Sequence, residues 1–205
     1  MLLRLAQVTA VLSVAACGAA PSQSAAQPSS SERPFAVSEV ATFDQPWALA
    51  FLPGSGLPMT AAALVTEKGG RLWIINVTTG AREEVQGVPA VKVAGQGGLG
   101  DVVPHPDFAG NRRIYLSYAE AGPNGVSGAA IGHGRLARTN GKYRIEGFRV
   151  IWRQTPKVTG DGHFSHRIAF APDGSLFVSS GDRQKMTPAQ DPSSDLGKII
   201  HMTPE

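Results

Sequence analysis

Residues 160–183 read GDGHFSHRIAFAPDGSLFVSSGDR, and this stretch decides the fold. A polar, glycine-rich loop carries His163, His166 and Arg167. An apolar run from Ile168 to Phe170 leads into Pro172-Asp173-Gly174, and a second β-forming run, Leu176 to Ser180, ends in Gly181-Asp182-Arg183. Short β-forming runs on either side of Pro-Asp-Gly predict a strand pair. Titratable groups then lie at both ends of one hairpin, and loops held by a rigid strand pair are where chemistry concentrates.

The same unit occurs twice upstream. Trp47 to Phe51 leads through Leu52-Pro53-Gly54 to Ala63–Thr66 and Arg71–Ile75; Leu99 to Val103 leads through His105-Pro106-Asp107 to Arg113–Tyr118. Strand, proline turn, strand, at a loose period of roughly 40–50 residues or more, predicts an all-β propeller. A plain β-sandwich with proline turns is the alternative. No helical periodicity longer than two turns is present. At this spacing the chain holds about three blades, fewer than the roughly four to eight that close a ring. It is therefore expected to be the front part of a longer propeller, with a last strand at Lys198–His201.

Composition agrees. The 205 residues are 42% hydrophobic and 17% charged, enough apolar residue for a packed core, and 24 Gly with 15 Pro suit many short strands and turns. A net charge of +3, with no basic run interleaved with aromatics, argues against a nucleic-acid partner. The single cysteine, Cys17, rules out an intrachain disulfide. It follows Arg4 and an apolar run from Val8 to Ala16, and Val14-Ala15-Ala16-Cys17-Gly18 reads as a bacterial lipobox. The expected organisation is a lipoprotein signal over 1–17, a Ser/Ala/Pro/Gln-rich tether over 18–34 and a propeller domain over 35–205. Lipid on Cys17 would anchor the protein to a bacterial membrane, in the periplasm and on the outer membrane; the bland reading is an ordinary cleaved signal.

Pro46–Phe51, Val65–Leu72, Gly95-Gln96-Gly97-Gly98-Leu99, His105–Phe108, Gly162-His163-Phe164, Arg167–Gly174, Gly181-Asp182-Arg183, Ala189-Gln190-Asp191 and Leu196–Ile200 follow one another along the chain. Taken in that order, they resemble the glucose/sorbosone dehydrogenase family, in particular the soluble aldose sugar dehydrogenases that use pyrroloquinoline quinone (PQQ). The resemblance implies a six-bladed propeller with PQQ and Ca²⁺ over its central opening. It implies oxidation of the anomeric hydroxyl of aldose sugars to lactones, with hydride passing to the quinone. His163 matches the family's general base, a role that suits imidazole near neutral pH. The residues that grip PQQ and Ca²⁺ in the family fall beyond residue 205, so the chain alone is expected to bind PQQ poorly and to hold no metal ligands of its own.

Each site residue has a plainer reading beside the functional one. His163 is either the base or a loop histidine bonded to a carbonyl. Gln96 is either an amide that binds a sugar hydroxyl or turn chemistry. Asp182 is a candidate sugar contact at a strand end, Arg183 a weaker one, and Arg167 a blade-closing ion-pair partner. His166 stands where the family has a small residue; with His163 it makes His-x-x-His, short of a zinc site without a third ligand. Gly162 stands where the family can have an Asp before the base. Two other functions fit a propeller: a lactonase using acidic ligands such as Asp101 and Asp182, or a non-catalytic propeller that binds glycans or proteins.

Overall fold

The computed structural model describes residues 34–53 and 62–205. The segments expected to be a signal and a tether, with Cys17, lie outside the described residues up to residue 33. Three antiparallel meanders follow one another. The first is β1 (Pro46–Phe51), β2 (Ala62–Glu67), β3 (Leu72–Asn76) and β4 (Arg82–Glu84). The second is β5 (Leu99–Pro104), β6 (Arg113–Ala121), β7 (Ser127–Thr139) and β8 (Lys142–Arg153), with a four-residue helix α1 (Phe108–Asn111) between β5 and β6. The third is β9 (Ser165–Phe170), β10 (Leu176–Ser180) and β11 (Lys198–Met202). Each sheet adds strands in chain order, as propeller blades do. Pro53, Pro106 and Pro172 each fall between the first and second strand of a sheet, where a missing N–H disturbs no ladder.

The longest pair, β7–β8, was not anticipated. Asn140-Gly141, both at positive φ, makes its tight turn, a recognisable hairpin signal. The strand before it, SGAAIGHGRLART, has little apolar alternation, yet it is buried from Ser127 to Gly134. Close packing against β8 explains the small residues: a Cβ on Gly132 would lie 2.5 Å from the Phe148 ring. β9 also begins at Ser165, so His166 and Arg167 belong to the strand.

The middle sheet is packed on both faces. Ile114, Leu116 and Tyr118 of β6 face the first sheet with Leu64, Leu72 and Ile74. Tyr115, between them in sequence, joins Ile131 of β7 in packing on Ile168, Leu176 and Val178 of the third. This is the period of two expected of a pleated strand. The first strands β1, β5 and β9 lie side by side, one from each sheet. Polar groups link them. Thr66 Oγ accepts from Ala48 N (3.0 Å) and donates to Gly100 O (2.7 Å). Buried Asp101 accepts from Ile168 N (2.9 Å) and Val102 N (3.0 Å), and lies 3.3 Å from Arg167. Burial raises the Asp101 pKa, opposed by these donors.

Two buried histidines are held neutral. His133 Nε2 accepts from Arg149 Nε at 3.0 Å; burial, with the charges of Arg113 and Arg149, lowers its pKa to about 4. His166 is fully buried, and burial lowers its pKa to about 4 as well. Their ordinary value is 6.5, so between about pH 4 and 6.5 the unfolded chain binds more protons than the folded one. Stability therefore falls as the pH drops through that window, by about 1.4 kcal/mol per pH unit for each histidine. Urea unfolding at pH 7 and pH 5 checks this: His133→Asn and His166→Ser should each flatten the pH dependence, and an unchanged slope refutes the assignment.

Candidate functional site

The starts of β1, β5 and β9 meet at one end of the sheets, and there a cavity of about 590 Å³ opens. Its walls include Trp47, Lys68, Gln96, His163, Phe164 and Asp182. The sequence-derived candidates His163, Gln96 and Asp182, dispersed over 86 positions of chain, thus share one pocket. Cys17 is not among the described residues.

His163 sits at the strand entry with its side chain half exposed. Its Nδ1 lies 2.8 Å from Asp182 Oδ1. A carboxylate there makes Nδ1 the protonated nitrogen and leaves Nε2 with a lone pair, the form a general base requires. Asp182 also accepts from Gln184 N at 3.0 Å, and the hydrogen bond from His163 lowers its pKa first of all causes. Asp182 was expected to contact sugar; the structure sets it against the imidazole. Asp161, one place before Gly162, pairs with Lys92 at 2.7 Å.

Gln96 is likewise turned to the histidine. Its Oε1 accepts from His163 N at 2.7 Å, and its own N–H donates to Asp161 O at 2.7 Å. The two loops approach so closely that a Cβ on Gly95 would meet Asp161 O at 2.5 Å, which explains the glycine at that position. Lys68 donates to Gly95 O from the opposite wall.

Arg183 holds the loop from beneath. Its side chain is fully buried, lies 3.6 Å over the Phe164 ring, and donates to Gly162 O (2.9 Å), Ser127 O and Gly160 O. Burial lowers its pKa. A guanidinium with five donors suits several carbonyls at once. The loop it clamps is strained, with His163, Ser165 and His166 at φ 47°, 59° and 58°. Non-glycine residues adopt such values where surrounding structure imposes them.

His166 and His163 do not form a metal pair: His166 points into the core, its Nδ1 2.7 Å from Ser117 Oγ. Asp101 links β5 to β9 and is not a pocket residue. Among the described residues no group of three or more His, Cys, Asp or Glu is placed to hold a metal. Trp47 and Lys68 were missed as pocket residues. Each lies in a segment that carries the family resemblance, Pro46–Phe51 and Val65–Leu72, but nothing in either segment marks the side chain as facing the pocket.

Residues 43–205 match the family model for glucose/sorbosone dehydrogenase. The aldose sugar dehydrogenase YliI of Escherichia coli (strain K12) is 42% identical over 160 residues, covering 78% of this chain and 41% of that protein. A crystal structure of a glucose dehydrogenase superposes with a TM-score of 0.72 at 41% identity, covering 79% of this chain and 45% of that one. The PQQ-bound aldose sugar dehydrogenase of Streptomyces coelicolor superposes with a TM-score of 0.68 at 28% identity, covering 80% and 46%. The chain spans less than half the length of each of these relatives.

Arg183→Ala would leave buried carbonyls unpaired and a void beside Phe164. We expect a loss of stability of about 3 kcal/mol or more in urea unfolding, with Arg183→Lys in between. A loss below about 1 kcal/mol would show that the clamp is not needed.

Proposed function

From the premise that this chain belongs to the glucose/sorbosone dehydrogenase family, we propose that it forms the proton-accepting side of a PQQ-dependent aldose sugar dehydrogenase. The observation that carries the reading is the 2.8 Å contact between His163 Nδ1 and Asp182 at the wall of the shared cavity. Oxidation of the anomeric hydroxyl removes a proton from oxygen and a hydride from carbon, giving the lactone. His163 Nε2 accepts the proton, the Asp182 carboxylate stabilises the imidazolium that results, and Gln96 fixes the backbone that carries the ring. Asp182 is a positioning residue, because it acts through His163.

PQQ supplies the hydride acceptor. It is named in the S. coelicolor relative. Of the pocket residues, Lys68 alone carries a positive charge toward this tricarboxylate. The residues around the cavity therefore meet its charge only in part. For Ca²⁺ they provide no ligand cluster. A lactonase reading finds less support, since Asp101 and Asp182 are both engaged with protein donors.

The lipobox at Val14–Gly18 supports a periplasmic protein anchored by lipid on Cys17. Radiolabelled palmitate should label the protein in cells, and Cys17→Ser should abolish the label; labelling that survives the change refutes the anchor.

Dye reduction with added PQQ and an aldose tests the enzyme. His163→Ala should lower kcat by about a hundredfold or more. Asp182→Asn should lower kcat by about tenfold or more, because the neutral amide no longer stabilises the imidazolium that forms. Activity that persists in His163→Ala, or that does not depend on PQQ, overturns the proposal.

A further inference from the structure

Trp47, Gly100 and His166 stand the same distance ahead of Pro53, Pro106 and Pro172, so they are equivalent positions in the three sheets. In space they come together. The Trp47 and His166 rings stack at 5.2 Å between centroids with 27° between planes. Gly100, from the sheet between them, leaves the room: a Cβ there would lie 1.9 Å from His166 Cε1. Ser117 Oγ accepts from Asp101 N at 2.7 Å, so its single proton is available for His166 Nδ1, also at 2.7 Å. His166 is thus held in plane from one edge, while its Nε2 is buried without a partner. An unpaired polar atom in a core is destabilising, and a small apolar residue would avoid it.

Trp47 is partly exposed and forms a wall of the cavity that holds His163. Phe164 is the other aromatic residue of that cavity, but it is fully buried, with the Arg183 guanidinium over its ring. Trp47 is therefore the aromatic face available to a ligand. We propose that Trp47 is the stacking wall for the pyranose ring of the substrate, and that His166 is a positioning residue that fixes it there. The assignment rests on reading the cavity as a sugar site. A pyranose has apolar C–H faces and a polar hydroxyl edge; the cavity offers one aromatic wall with Lys68, Gln96 and His163 around it. That single ammonium makes the same wall a poor match for a tricarboxylate.

Saturation-transfer NMR on the full chain without PQQ, with D-glucose as probe, tests the contact without turnover. Transfer to the glucose C–H protons is expected in the unaltered protein and in Trp47→Phe, and its loss in Trp47→Ala, with thermal melts showing that each variant is folded. In dye assays with PQQ, His166→Ser should raise KM for D-glucose about tenfold with kcat within about twofold, and His166→Phe should restore KM. Transfer undiminished in Trp47→Ala, or absent from the unaltered protein, overturns the proposal. So does a Trp47→Ala variant that leaves KM for D-glucose unchanged and shifts only the PQQ concentration needed for activity, which would assign the wall to the cofactor. Transfer through Trp47 in a protein that oxidises no aldose would sustain the contact and sink the dehydrogenase reading instead.

Discussion

β5 is enclosed by neighbours, and that single constraint organises the structure. It touches β1 on one side and β9 on the other, so little water reaches its polar atoms and protein groups must satisfy them. Thr66 takes Gly100 O, Ser117 takes Asp101 N, and the Asp101 carboxylate takes Ile168 N. Each of these bonds crosses from one strand or sheet to another. Satisfying β5 therefore fixes where β9 lies, and β9 carries the loop with His163. Apolar packing on both faces of the middle sheet drives the three sheets together; the polar links set their register.

The cavity end is built on that register and then held against its own preference. Three consecutive-region residues at positive φ, His163, Ser165 and His166, would not keep that backbone in isolation. Buried Arg183 below and the Gln96 amide beside it impose it. The outcome is an imidazole that is half exposed yet oriented at both its backbone and its Nδ1. Such pre-orientation is what the proposed proton transfer needs, because the accepting lone pair must already be aimed.

Much of this was legible in the chain. The proline turns at Pro53, Pro106 and Pro172 and the β-forming runs around them carry the blade repeat, since turn chemistry and period-two patterning are local properties. The hairpin β7–β8 was not legible in the same way. Gly132 and Gly134 are set by contact with Phe148 and its neighbours, which lie across the ladder. Asp182 was visible as a strand-end carboxylate, but its partner was not: only the bend that returns β10 beside the entry of β9 brings it to His163. The same holds for Asp101, an acidic residue by type that packing converts into a link between strands.

The amino-acid sequence by itself determined the element type, the repeat and the family, and it singled out His163, Gln96 and Asp182 as candidates. These follow from local turn signals, side-chain period and motifs read along the chain. Tertiary structure alone decided what each side chain faces: that Asp182 orients the imidazole, that Gln96 holds its backbone, that Arg183 is a buried clamp, and that Trp47 and His166 meet across Gly100. The physical reason is that burial and hydrogen-bond partners depend on which strands become neighbours. Three residues at equivalent places in three sheets are far apart in the chain and in contact around one line in space.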